Sequence, residues 1–402
     1  MHVLVTDDSY PQSLGIVRSL GKKGIRISVL ADKPTRLASY SRYCSARYEV
    51  PAPYEGSFSP AVIDLIRRFH FDLIIPVGYD PTLALAQHKN EINSLSRLEI
   101  VDAETIRLAA DKRYVNELAQ KVGVPAPRTV SPESPDEVLS LSRDLKFPVV
   151  IKAAIEPLVK KGVQYARTPQ ELLEQYEVLW ERSRQSRTRP PIVQEYIPGF
   201  GCGFFALYQK GVCKRIFMHR RVREVPPAGG ISCCAESYYD QKLKEYGTLL
   251  LNQLGWHGVA MVEFRYDTGD HDYKLVEINP KFWGSLDLAL AAGVDFPYYL
   301  CQLAQGQTIE YSERYNRKIR FHWPLLETLH ISKRPASIGA VLSDTFNPRV
   351  RSNLSFADFM PNFFEPAERV QSQISRRIRE RRQSRVALTV PGKSHLQPTQ
   401  RV

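Results

Sequence analysis

Two short acidic runs separated by a turn carry the densest chemistry of this chain. They are Val262-Glu263-Phe264-Arg265 and Leu275-Val276-Glu277-Ile278-Asn279-Pro280-Lys281-Phe282-Trp283-Gly284. Asp267-Thr268-Gly269-Asp270 between them reads as a tight turn, so the flanking runs, Gly258 to Tyr266 and Asp272 to Asn279, read as two antiparallel strands. Side chains alternate along a strand. Met261, Glu263 and Arg265 are therefore expected on one face of the first strand, and Leu275, Glu277 and Asn279 on one face of the second. Two acids and an amide then converge on one side of a hairpin. That oxygen-only set suits a hard cation such as Mg²⁺ bridging the phosphates of a nucleotide. The competing reading is a pair of solvated strand acids. Against it, Leu275, Val276 and Ile278 make the strand look buried, and half-buried strands rarely keep unpaired acids.

Four further segments could serve the same chemistry. Lys112 opens a helix in Ala109-Ala110-Asp111-Lys112-Arg113-Tyr114, and Lys152 ends the apolar run Phe147-Pro148-Val149-Val150-Ile151. Either alone could be a snorkelling lysine, but an ammonium after such a run needs an anion, and phosphate supplies one. Gln194-Glu195-Tyr196-Ile197-Pro198-Gly199 is extended backbone broken by Pro-Gly. It offers N–H and C=O groups to the edge of an adenine, or is simply a strand ending in a turn. The run from Met218 to Ser232 packs Arg220, Arg221, Arg223 and His219 ahead of Pro226-Pro227 and Gly229-Gly230. A loop of this kind can fold over anions. Alternation would put Arg221 and Arg223 on one side, facing a carboxylate or phosphate; a solvated basic strand is the alternative. His219 reads as structural.

The elements that must position these residues follow an α/β pattern. Strands at 2–6, 25–30 and 71–77 alternate with a helix entered through 9–13 and ending near 21–24 and another at 60–70, which predicts a parallel sheet. No GxGxxG loop follows the first strand, so dinucleotide binding is disfavoured. A helix is expected at 103–122. A compact α+β piece over 128–190 has helices at 134–145 and 169–183 and a strand at 147–152. Strands at 192–196 and 204–208, a helix at 240–254 and another at 287–292 complete the body. The segment after Tyr311 looks less regular, and beyond Pro366 the chain reads as a basic helix followed by a polar, disordered tail.

At 402 residues, 43% hydrophobic and 24% charged, the chain has the composition of a globular protein of two or three domains. It contains no run of 18 uncharged apolar residues, and the acids at Asp7 and Asp8 argue against a signal peptide. Cytoplasmic localisation is the expectation. Six cysteines show no CxxC pair or zinc spacing and are expected to be reduced. The net charge of +12 owes much to Arg369, Arg376, Arg377, Arg379, Arg381, Arg382 and Arg385. No aromatics are interleaved with them, so nucleic-acid binding is not expected; peripheral membrane or partner docking is left open for this tail.

The order Lys112, Lys152, Gln194-Glu195-Tyr196-Ile197-Pro198-Gly199, Glu263, Glu277-Ile278-Asn279-Pro280 resembles the ATP-grasp superfamily of carboxylate–amine ligases. Carbamoyl-phosphate-synthase-like and D-aspartate-ligase-like members are the most similar, over roughly residues 1–305. The resemblance implies a Rossmann-like N-terminal domain (1–110), a small lid with its linker helix (111–190), a catalytic C-terminal domain (191–320) and an extension (321–402). By the same resemblance, Lys112 and Lys152 contact nucleotide phosphates, and Glu195 with the backbone of Tyr196 and Ile197 meets the adenine. Glu263, Glu277 and Asn279 hold Mg²⁺, with Mn²⁺ as a substitute. Arg221, Arg223 and Lys281 serve the reacting groups. The activity implied is ATP-dependent activation of a carboxylate as an acyl phosphate, followed by capture by an amine; a non-catalytic Mg-ATP-binding regulator is the alternative. A homodimer is the default assembly. The chain departs from the family pattern in its glycine-poor loop at 153–162, in Lys281 where relatives often carry arginine, and in lacking a legible ribose-binding acid.

Overall fold

The computed structural model describes residues 1–155, 162–227, 229–364 and 366. The expected basic tail and most of the 153–162 loop lie outside the described residues. Four strands, β1 (His2–Val5), β2 (Arg26–Ala31), β3 (Cys44–Glu49) and β4 (Leu73–Ile75), pair in parallel in the order β3-β2-β1-β4. The central β1 is buried on both faces, as its apolar sequence requires. This confirms the parallel N-terminal sheet and adds β3, whose mixed sequence hid it.

The next sheet is antiparallel: β5 (Thr129–Val130), β6 (Val149–Lys152), β7 (Val163–Ala166) and β8 (Ile192–Glu195), in the order β5-β8-β6-β7. The helices Pro135–Leu141 and Pro169–Gln185 pack on it through Val138, Leu172, Tyr176 and Leu179. Strand β8 thus belongs to this lid, although the expected boundary at 190/191 put it in the following domain. The expected helix at 103–122 is two helices, Ala103–Ala110 and Lys112–Lys121. Asp111 ends the first and caps the second by accepting a hydrogen bond from the Arg113 N–H.

The largest sheet contains β9 (Gly199–Gln209), β10 (Val212–Val225), β11 (Ile231–Ser237), β12 (Gly258–Asp267), β13 (Asp272–Asn279), β14 (Arg320–His322) and β15 (Val350–Ser352). Its order is β13-β12-β9-β10-β11-β14-β15. One face buries Phe204, Val262 and Phe264 under the helix Gln241–Gln253; the other buries Phe205, Phe217, Phe282 and Trp283. Two expectations are corrected here. The segment from Met218 to Ser232 is mostly two paired strands, because its backbone pairs across β10–β11 and, up to Arg220, also with β9. The region after Tyr311 supplies β14, β15 and the helices Pro324–Lys333 and Ile338–Phe346, so 321–352 completes this sheet and is no appendage. All six cysteines are free thiols. No helix among the described residues is long and apolar enough to cross a membrane.

Gly199 starts β9 with φ +110°, and a Cβ there would sit 2.1 Å from the Tyr266 carbonyl oxygen. Gly199→Ala should therefore lower stability by more than about 1 kcal/mol, measured by denaturant unfolding. A neutral result would contradict this turn geometry.

Candidate functional site

A cleft of about 860 Å³ lies between the lid sheet and the large sheet. It collects Lys112, Lys152, Glu195, Tyr196, Ile197, Arg221, Glu263, Glu277, Asn279 and Lys281. The residue absent from this set is Arg223.

The hairpin sets the geometry. Glu263 stands directly opposite Glu277, and Met261 opposite Asn279. The register then shifts, so that Phe264 pairs with Leu275 and Val276 is an extra residue in β13. This bulge breaks the period of two. Leu275 turns into the core, 2% exposed, instead of sharing the Glu277 face as alternation predicted. Glu277 and Asn279 remain in the cleft, and Asn279 Nδ2 donates to Glu277 Oε1 at 2.7 Å. That bond fixes the amide with its oxygen available as an acceptor. Two carboxylates and one amide oxygen form a hard donor set that could hold a divalent cation such as Mg²⁺, which characteristically takes one or two carboxylates and completes its shell with water and phosphate.

Carboxylates facing one another across a ladder repel, and each acid has its own cation. Lys112 Nζ lies 2.9 Å from Glu277 Oε2 and is itself only 5% exposed. Arg221 Nη2 lies 2.7 Å from Glu263 Oε2, while its Nη1 meets Glu224 at 3.0 Å and donates to the Gly230 carbonyl at 2.7 Å. Arg221 comes from β10 and must cross β9 to reach Glu263 on β12. Gly201 of β9 makes the crossing possible, because a Cβ there would lie 2.8 Å from Arg221 Cδ. Burial opposes ionisation of Glu277, but Lys112, the Asn279 hydrogen bond and Lys281 outweigh it and hold the carboxyl well below the ordinary range. Burial instead pushes Glu263 up; Arg221 offsets this only in part and the Glu277 charge adds to it. The two acids are thus unequal, as adjacent carboxylates tend to be.

Arg223 corrects the sequence reading. Arg221 pairs with Ala235 but Arg223 with Cys234, so Val222 is an extra residue that turns Arg223 to the opposite face. There it pairs with Glu327 Oε1 and Asp344 Oδ2, both at 2.6 Å, far below the solvent boundary. His219 is buried in the core as expected for a structural residue; burial and Arg221 bring its pKa down to about 3, so it is neutral.

The segment 194–199 is more engaged than its sequence suggested. Glu195 Oε1 accepts from the Arg128 N–H at 2.8 Å, and the Ile197 carbonyl accepts from Arg265 Nε at 2.9 Å. Arg265 also donates to the Gly199 carbonyl at 2.6 Å. This arginine, on the hairpin face of Glu263, clamps the connection between lid and large sheet. Sequence reasoning placed it on that face without assigning it a task; the available signal was its alternation with Glu263.

Residues 188–324 match a family model described as "ATP-grasp in the biosynthetic pathway with Ter operon". Among solved structures, biotin carboxylase from Campylobacter jejuni, described as a β,γ-ATP complex, superposes with a TM-score of 0.63 at 17% identity, covering 79% of this chain and 74% of that one. N5-carboxyaminoimidazole synthetase from Staphylococcus aureus, complexed with ADP, gives 0.63 at 14% identity, covering 78% and 79%. At these identities the likeness is one of fold. The protein therefore carries an ATP-grasp fold, as the ordered motifs implied. Within that class, its sequence is 21% identical over 306 residues to the carbamoyl phosphate synthase large chain of Methanobrevibacter smithii. The match covers 73% of this chain but 28% of that relative, so this chain spans little more than a quarter of it.

Two predictions follow from the ion pairs. Arg223→Ala should cost about 3–5 kcal/mol in unfolding free energy, because it strands the buried Glu327 carboxylate and leaves Asp344 with only Arg320 at 3.3 Å. For Glu277 the depressed folded pKa means that its stabilisation is complete above its ordinary value of 4.5 and is lost as pH falls through the lower folded value. Glu277→Gln should flatten the acid limb of a stability–pH profile; an unchanged limb would place the titration elsewhere.

Proposed function

We propose that this protein is an ATP-dependent ligase that activates a carboxylate and joins it to an amine, releasing ADP and phosphate. The observation that carries this reading is the Glu263–Glu277 rung, each acid held by its own cation inside a cleft between two sheets. Lys112 and Lys152 line the cleft from the linker helix and the end of β6, and in this reading they would meet the nucleotide phosphates. The backbone at Tyr196 and Ile197 would meet the adenine, beside the Arg265 clamp. Mg²⁺ held by Glu263, Glu277 and Asn279 would supply the positive charge that offsets repulsion between a substrate carboxylate and the γ-phosphate.

The residues of the chain then divide the work. In the proposed reaction a carboxylate oxygen attacks the γ-phosphorus and the bond to the ADP oxygen breaks. Lys112 and Lys152 stabilise charge on the phosphates. The amine nitrogen next attacks the acyl carbon, phosphate leaves with the carbon–oxygen bond pair, and the nitrogen loses a proton. Arg221 lines the cleft, but its guanidinium is held by Glu263, Glu224 and the Gly230 carbonyl, so in this reading it serves the chemistry by holding Glu263 in place. Lys281 lends a point charge near Glu277 where a bidentate arginine fork would be more directional. Support from known proteins comes from the carbamoyl phosphate synthase likeness and from the ADP named in the Staphylococcus aureus enzyme's structure.

Thermal unfolding with Mg-ATP tests the reading. Ligand at 100 times its dissociation constant adds about 2.7 kcal/mol to the native state, a shift of several degrees. Wild type and Arg223→Ala should both show it, and Glu277→Gln should lose it. Pools of carboxylates and amines should then elicit ADP release. Absence of any Mg-ATP shift would sink the nucleotide site; a shift without ADP release from any pool would favour a nucleotide-binding regulator.

A further inference from the structure

A second group of cations, from β10, β14 and the segment before β14, gathers on the face of the large sheet opposite the cleft. Arg221 points into the nucleotide cleft, and its neighbour Arg220, by alternation, points to the other side of the sheet. There a separate cavity of about 520 Å³ is lined by Arg220, Arg317, Lys318 and Arg320, with Glu236 as its acid. Four cations against one carboxylate give the lining a formal charge of +3, which Asp344 beside Arg320 reduces to +2.

The array is ordered by the sheet. Arg220, Glu236 and Arg320 occupy one continuous row, since Arg220 pairs with Glu236 across β10–β11 and Glu236 with Arg320 across β11–β14. Glu236 binds both arginines, Arg220 through Oε1 and Arg320 through Oε2 at 3.0 Å. Arg320 is held from behind by Asp344 at 3.3 Å. Arg317 lies over the Tyr239 ring at 3.8 Å, and Arg220 over Tyr238 at 5.7 Å. Rings that support guanidinium planes fix their orientation while leaving N–H groups for other partners. Among the described residues neither Arg317 nor Lys318 is ion-paired with an acid. Like charges gathered in one concavity repel, and an incoming anion removes that cost. The volume is that of a small-molecule site.

We propose that this cavity binds a small phosphate-bearing anion, separately from the nucleotide cleft. The planar N–H fork of Arg317, which no acid occupies among the described residues, matches phosphate oxygens bidentately, while Lys318 adds a point charge and Arg220 and Arg320, both bound to Glu236, contribute positive charge. Because Arg220 and Arg221 are consecutive on one strand, an occupant of the back cavity sits one residue from the arginine that holds Glu263.

Isothermal titration with inorganic pyrophosphate, in the absence of Mg²⁺, tests this. Wild type should bind it, and Arg317→Ser, a change at an exposed side chain, should weaken binding by about tenfold or more. Lys152→Gln, in the cleft, should leave pyrophosphate affinity unchanged, and saturating Mg-ATP should not displace it. Mg-ATP stabilisation in Arg317→Ser should match wild type, which also shows that the variant is folded. No binding by wild type, an affinity indifferent to Arg317→Ser, or displacement by Mg-ATP would each overturn the proposal. Failure of the ligase reading would appear instead as absent ADP release and leaves this result intact.

Discussion

Two carboxylates face each other on one rung of a hairpin and are largely withdrawn from water. Such a pair is unstable in isolation: cross-strand like charges repel, and each charge loses hydration. Much of the surrounding structure answers that problem. Lys112 is brought from the linker helix to Glu277, and Arg221 is brought over the glycine strand to Glu263. The two acids remain ionisable to different degrees because their cations differ in reach and in competing partners. Arg221 divides its charge between Glu263 and Glu224, whereas Lys112 is reinforced by Asn279 and Lys281.

The same contacts tie the sheets together. Lys112 donates its backbone N–H to the Ala154 carbonyl at 2.9 Å, just past β6, while its side chain reaches β13. Arg265 reaches from β12 to two carbonyls of the connection between β8 and β9. The cleft is thus closed at its back by groups that also carry its charge. Lys112 thus touches both the lid and the rung.

Strand β10 divides two environments. Its bulge at Val222 sends Arg223 to a buried pair with Glu327 and Asp344, which fastens the helices after β14 to the sheet. Arg220 stays on that face beside Glu236 and Arg320, and Arg221 alone serves the cleft. Three arginines of one strand thereby acquire a structural, a cleft-facing and a back-face position through the irregularity at Val222.

Much of the site was legible in the sequence. Period-two alternation identified the hairpin and put Glu263, Glu277 and Asn279 on one face, and the parallel N-terminal sheet followed from its βα spacing. Local pattern determines which side chains share a face as long as the ladder is regular. It does not reveal where a ladder slips, because a bulge is decided by the partner strand, and so Leu275 and Arg223 were put on the wrong side. Nor does it reveal which cation neutralises which acid: Lys112 and Glu277 are 165 positions apart in the chain, and Arg221 needs the missing side chain of Gly201 to reach Glu263. The sequence alone determined the types of group available and the faces of regular strands. Tertiary structure decided their partners, since only packing brings distant strands into register and sets which buried charge must be answered by which neighbour.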